Sequence, residues 1–231
     1  MRVLIFGATG MVGQAVLREC LLAEDVESVL AAGRTATGQY HAKLRECVVP
    51  DLLDVAAYEI DLRGYDACFF CLGVSSAGMS EAAYARLTFT LTTTVATKLA
   101  DLNPQMTFVY VSGSGTDGTE RGRTMWARVK GKTENALLRM PFRAAYMLRP
   151  GFIVPMDGIQ SKTRSYRIFY NVLGPLLPML RKLFPKSILT TRELGQTMLT
   201  LARSGASKRV LEIADMRSLL EATAFPAKVF P

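Results

Sequence analysis

Short apolar or β-branched runs alternate with longer amphipathic stretches over the first two thirds of the chain, the pattern of βαβ units that build a parallel sheet. Strands are predicted at residues 2–6, 28–32, 45–49, 67–71, 107–111 and 144–148. Several are apolar at nearly every position, as strands covered on both faces require. Helices are predicted over about 11–22, 80–102 and 124–140. In the second of these, Tyr84, Leu87, Leu91, Val95, Leu99 and Leu102 recur at three- and four-residue steps and form one apolar stripe to lay on the sheet. Its many threonines are poor helix formers, so packing rather than propensity must hold it.

Beyond Pro150 the alternation weakens. A stretch punctuated by Gly and Pro leads to a helix opened by Thr190-Thr191-Arg192-Glu193, a capping box in which Thr190 and Glu193 satisfy each other's backbone donors. A last strand is predicted at 209–213, and residues after about Ala222 read as a tail. The expected fold is α/β, a doubly wound and mostly parallel sheet in a single unit. Its core spans 1–156, a small elaboration covers 157–222, and the tail takes 223–231. That elaboration falls over the strand ends, where open α/β sheets place substrates.

With 231 residues and 49% of them apolar, the chain is long enough for one large core and short for two full domains. Residues 1–6 run directly into a glycine turn with no apolar leader ahead of it, so a cytoplasmic setting is expected. Four cysteines, Cys20, Cys47, Cys68 and Cys71, are too few for a disulfide framework at this size. Cys68-Phe-Phe-Cys71 has redox spacing but lies inside an apolar run, where thiols pack rather than react. One histidine, His41, leaves almost no material for a metal site.

The net charge of +8 is uneven, because positions 119–210 hold 18 Lys or Arg against 4 Asp or Glu. A basic half suits anionic partners, among them a phosphorylated cofactor or an anionic small-molecule substrate. No nucleic-acid motif accompanies it. Residues 164–186 carry an apolar stretch, 168–180, between basic flanks. It is too short and too broken by proline for a transmembrane span and reads as a substrate lid or dimer surface.

Gly7-x-x-Gly10-x-x-Gly13 directly follows a predicted strand and opens a helix, with Thr9, Met11 and Val12 in the turn. The glycines allow a tight turn, close approach of backbone to a pyrophosphate and close helix–strand packing; the helix N-terminus supplies unpaired N–H groups. This predicts dinucleotide binding. At the end of the second strand, where an NAD binder carries Asp or Glu for the ribose hydroxyls, the chain reads Ala32-Gly33-Arg34-Thr35. Arg34 would offer a planar fork of donors to a 2′-phosphate, so NADP(H) is expected over NAD(H). The alternative is a solvated surface arginine. Asp51 and Leu52 are candidates to bracket the adenine, and Cys71, Leu72 and Gly73 to floor the ribose and pyrophosphate.

The ordered set Gly7-x-x-Gly10-x-x-Gly13, Gly33-Arg34, Asp51-Leu52, Cys71-Leu72-Gly73, Val111-Ser112, Lys130-Gly131 and Arg149-Pro150-Gly151 resembles the atypical short-chain dehydrogenase/reductases. Within them it is most similar to the Tat-interacting-protein oxidoreductase branch, whose bacterial relatives are often labelled sugar-nucleotide epimerases. The resemblance covers roughly residues 1–156. It implies that Ser112, or Ser114, orients a substrate carbonyl, that Lys130 holds the ribose and tunes a proton donor, and that Pro150 borders the cofactor. It also implies a tyrosine donor four residues before the lysine, where this chain has Trp126.

Indole donates a hydrogen bond but has no titratable proton in the useful range. Either Lys130 itself supplies the proton, or no hydride chemistry occurs. Trp126 would then act by stacking, and Ser112 can equally be read as a turn serine. The expected function is an NADP(H)-dependent oxidoreductase acting on a small substrate. The competing reading is a regulator that senses NADP(H) without turnover. A sugar-nucleotide epimerase, which needs an acid/base at position 126, ranks third. Two long helices flanking the sheet offer a surface for a homodimer.

Overall fold

In the computed structural model, residues 1–159 and 188–224 are described. The chain runs β1 (Arg2–Phe6), α1 (Met11–Leu22), β2 (Ser28–Gly33), β3 (Leu44–Val48), two 3₁₀ turns (Val55–Ala57 and Glu59–Leu62) and β4 (Ala67–Phe70). It continues through α2 (Glu81–Ala85), a π turn (Arg86–Thr90), α3 (Leu91–Leu102), β5 (Thr107–Val111), α4 (Met125–Leu138), β6 (Ala144–Arg149) and β7 (Phe152–Val154). β8 (Ile188–Thr190), α5 (Thr191–Ser204), β9 (Val210–Glu212) and α6 (Ile213–Ala224) complete it.

The strands order as β3-β2-β1-β4-β5-β6-β9, every neighbouring pair parallel, with β7 and β8 as a separate two-stranded parallel ribbon. The chain moves outward from β1 to β3 and then returns to β4 on the other side of β1. The order therefore reverses between β1 and β4, and ligands of open α/β sheets bind outside the strand ends at that switch point.

Alternation along β1 divides the interior in two. Val3 and Ile5 face α1, α5 and α6. Leu4 and Phe6 face the other side, with Leu30, Phe70, Phe108, Val95 and Leu99. On that second face Phe6, Phe70, Phe108 and Phe142 form a row at centroid spacings of 5.3, 5.8 and 5.0 Å, within the range where aromatic pairs attract beyond simple burial.

The helix expected over 80–102 is capped by Ser80, whose Oγ accepts from the Ala83 amide at 3.3 Å. It is not one regular α-helix. Thr93 Oγ1 donates back to the Phe89 and Thr90 carbonyls at 2.8 and 3.2 Å, the competition with the backbone ladder that loosens helices. A π turn takes an extra residue, and it brings Thr88 rather than Leu87 onto the buried face: Thr88 is buried while Leu87 is 43% exposed. The rest of the apolar stripe stays inward.

The capping box forms as expected, Thr190 Oγ1 accepting from the Glu193 amide at 3.1 Å and Glu193 accepting from the Thr190 amide at 2.7 Å. The last strand is shorter than expected, and α6 occupies residues read as strand end and tail, burying Ile213 and Met216. No helix among the described residues is long and apolar enough to cross a membrane. The basic-apolar segment 164–186 and the end of the tail lie outside the described residues.

Candidate functional site

The three glycines of the first turn are needed for three different reasons. Gly7 has φ +83°, and a Cβ there would lie 2.9 Å from the Cys71 carbonyl carbon and the Leu72 nitrogen. It closes β1 onto β4 at the switch point. A Cβ on Gly13 would lie 2.0 Å from the Gly7 carbonyl oxygen and 2.8 Å from Ala8 Cα, so this glycine lets α1 lie against its strand.

Gly10 caps α1, donates to the Gly7 carbonyl at 3.0 Å, and has no clash inside the protein, its Cβ meeting only that carbonyl at 3.4 Å. Its lack of a side chain leaves the outer side of the turn open. The first turn of α1, with Met11 and Val12 partly buried, holds no acidic residue to compete for the free amides. A dinucleotide fits this cradle. Gly10→Ala should leave stability within about 0.5 kcal/mol while weakening cofactor binding at least about tenfold, read by denaturant melts and cofactor titration; equal binding would show that no group approaches the turn.

Gly7, Ala8 and Thr9 form one wall of a narrow groove, and Ala31, Ala32, Gly33, Arg34, Thr35 and Thr37 form another, with Leu52 and Leu72 alongside. Gln14 Nε2 donates to the Thr9 carbonyl at 3.0 Å and steadies the turn. Arg34 is exposed, and among the described residues no carboxylate pairs with it. Thr35 and Thr37 line the groove without having been singled out in the sequence, because the loop after β2 carries no periodic signal. The Thr37 amide donates to Glu46 of β3 at 2.5 Å, which ties that loop down. Asp51 does not line the groove; its carboxylate accepts from the Leu53 amide at 2.9 Å. Cys71 presents backbone to Gly7, and Gly73 stands in open space.

At the end of β5, Ser112 and Ser114 are stitched to β6: their amides donate to the Leu148 and Pro150 carbonyls, each at 2.8 Å. Lys130 reaches across from α4 and donates to the Ser112 carbonyl at 2.6 Å. Burial pushes its ammonium down to about 8, against an opposing pull from Glu134. Ser112 and Lys130 therefore meet at the strand end beside the switch point.

A third group, Thr116, was not foreseen. Its hydroxyl donates to the Gly113 carbonyl at 2.7 Å and contacts Ser112 Oγ at 2.9 Å. A hydroxyl has one proton, so with Thr116 already committed Ser112 must be the donor in the second contact. The lone pairs of Ser112, not its proton, remain for a ligand. The spacing Ser-x-x-x-Thr in a glycine-rich loop was the available signal. Trp126 lies partly buried with the edge of its six-membered ring 3.5 Å from where a Gly115 Cβ would sit.

All four cysteines are free. Burial pushes the Cys68 and Cys71 thiols well up, the reverse of what thiolate chemistry requires. The Cys68-Phe-Phe-Cys71 pair packs with the core, as its apolar setting indicates.

A glycine turn at the switch point of a parallel sheet, with a lysine and a serine gathered at the neighbouring strand end, defines a dinucleotide-binding α/β protein. Residues 3–135 match the model of the NAD dependent epimerase/dehydratase family, and the chain belongs to that family. No curated protein sequence matches it. Solved structures share its fold at low identity.

An oxidoreductase of the short chain dehydrogenase/reductase family from Burkholderia thailandensis is 18% identical, with a TM-score of 0.64 over 99% of this chain and 98% of that one. WbmH from Bordetella bronchiseptica, solved with NAD+, is 15% identical, with a TM-score of 0.65 over 100% of this chain and 83% of its own. A short chain dehydrogenase family protein from Francisella tularensis is 14% identical, with a TM-score of 0.64 over 88% and 91%.

Proposed function

We propose that the chain is an NADP(H)-preferring oxidoreductase that interconverts a small carbonyl compound and its alcohol, with Lys130 as the proton-handling group. The observation that carries this reading is the Lys130 amine, held at the Ser112 carbonyl and eased by burial toward the pH at which it can give up a proton. Held by the Gly7–Gly13 turn and Arg34, a reduced nicotinamide cofactor would supply the hydride. Lys130 donates its proton to the carbonyl oxygen as the carbon gains that hydride, which leaves an alcohol and a neutral amine; solvent then returns the proton. Ser112, its own proton turned to Thr116, accepts a hydrogen bond from the alcohol and positions it.

Arg34 supports the phosphorylated cofactor: an exposed guanidinium lines the groove at the end of β2, and among the described residues lining that groove there is no carboxylate to receive ribose hydroxyls. Arg34→Ala should weaken NADPH binding by roughly 1.5–3 kcal/mol, the range for hydrogen bonds to charged groups, and leave NADH nearly unchanged. Equal loss for both would remove the preference. The basic charge between 119 and 210 fits an anionic substrate in a cytoplasmic setting.

A second reading, a protein that binds NADP(H) without turnover, is favoured by Trp126, which rests on Gly115 where a tyrosine donor would otherwise project. The same tryptophan leaves epimerase chemistry without an acid/base at that position. Titration with NADPH and NADH, then a panel of aldehydes, ketones and keto acids followed by NADPH absorbance, separates the readings. Binding with turnover establishes the reductase; binding without turnover on the panel favours the sensor.

A further inference from the structure

One helical turn beyond Lys130 on α4 lies a carboxylate that no step of the reduction uses. Glu134 is 1% exposed. Arg149, at the end of β6, grips it with Nε at 3.0 and 3.2 Å from its two oxygens and Nη2 at 2.5 Å, while Nη1 reaches Glu212 of β9 at 3.3 Å. Burying such a pair costs several kcal/mol per ion before the attraction is counted, and apolar residues of the same size often serve stability as well or better. Stability alone is therefore a weak reason for a charge here. Its place on the helix offers another: residues four apart share a face, so the clamped carboxylate lies on the same face of α4 as the lysine that reaches the Ser112 carbonyl.

We propose that Glu134 is a positioning residue for Lys130: clamped by Arg149, it supplies the fixed negative charge against which the Lys130 ammonium is held at the Ser112 carbonyl. Among the described residues the surroundings leave this task to Glu134. From the end of β5 Lys130 meets the Ser112 carbonyl and Gly113, neither charged. In the loop above, the Asp117 carboxylate is taken up by Thr119 and the Gly122 amide. Toward α2, Glu81 pairs with Arg128 at 2.7 Å, and Tyr84 and Tyr110 are buried phenols that burial keeps neutral. Arg149 stands behind Glu134 with its charge neutralised there. Burial pulls the Lys130 proton off, and Glu134 is the charged group that opposes the loss.

The inference rests on the reading of Lys130 as the proton-handling group, but its test is made in the cofactor-free protein. Chemical shifts of ¹³C-labelled lysine side chains are followed against pH, the Lys130 signal being assigned by its loss in Lys130→Arg. In the wild type the midpoint is expected near 8, and in Glu134→Gln it should fall by about one pH unit or more. Should Glu134→Gln fail to fold, the double variant Glu134→Gln with Arg149→Met removes both charges at similar volume, and its midpoint should also fall, by less, because a cation leaves with the anion. An unchanged midpoint in a folded variant overturns the proposal, because a purely structural glutamate would alter melting and leave the titration alone. A shifted midpoint in a protein that reduces no carbonyl would uphold Glu134 while sinking the oxidoreductase reading.

Discussion

A Gly131→Ala chain is expected to be about 2 kcal/mol less stable than the wild type in urea or thermal melts, although Ala in place of Gly inside a helix ordinarily gains about 1 kcal/mol. The reversal of sign follows from what the new methyl meets. It would lie 1.8 Å from the Asp117 carbonyl oxygen, 2.5 Å from its carbon and 3.1 Å from the Gly118 nitrogen. All three are backbone, so no side chain can rotate out of the way. The loop is also pinned on both sides of the clash: the Asp117 amide donates to the Ala127 carbonyl at 3.1 Å, and Asn135 Nδ2 donates to the Gly118 carbonyl at 2.9 Å. Shifting the loop would carry Thr116 away from Ser112. Cofactor binding at the glycine turn, on the far side of the switch point, should change little. A variant as stable as the wild type would mean that the loop closes on α4 in some other way.

How far this architecture can be read from the sequence depends on how local each cause is. β1, α1 and β5 follow from periodicity and flanking turn residues, and their observed bounds coincide with the expected ones. The π turn was not legible, because it goes with one threonine hydroxyl, that of Thr93, returning to carbonyls one turn back, and a period count cannot see a single added residue. The β7–β8 ribbon spans three residues in each strand, too few for alternation to register. α6 follows β9 without a turn residue between them, so its first residues read as a continuing strand.

The candidate site divides along the same line. Gly7, Gly10, Gly13 and Arg34 are legible because each follows a strand whose end dictates what the next residue faces. Lys130 and Ser112 needed the family resemblance to be paired, since 18 residues separate them. Glu134 was invisible. In the sequence it looks like any helix-surface glutamate four residues from a lysine, and only the approach of Arg149 from β6 shows that it is buried and clamped.

Lys130→Met separates the chemistry from the fold most sharply, because the two effects run in opposite directions. If Lys130 donates the proton, turnover of any carbonyl substrate found for the wild type should fall by roughly 10²–10⁴-fold, the usual worth of a positioned acid. Wild-type reduction should itself decline as pH rises through about 8, where the ammonium is lost. Stability should not fall with turnover. Burial holds the folded-state value below that of a lysine in the unfolded chain, so from about 8 up to the ordinary lysine range the unfolded chain carries a proton that the folded chain does not.

Wild-type stability therefore rises with pH across that window, by no more than about 3 kcal/mol, and is at its lowest from this cause below it. Methionine fills similar space with no charge to bury, so at neutral pH the variant should be at least as stable as the wild type, less about 1 kcal/mol for the lost hydrogen bond to the Ser112 carbonyl. Its stability should also stay flat across the window. A variant that keeps turnover would place the proton donor elsewhere, and one that loses both turnover and stability would make Lys130 a structural strut between α4 and β5.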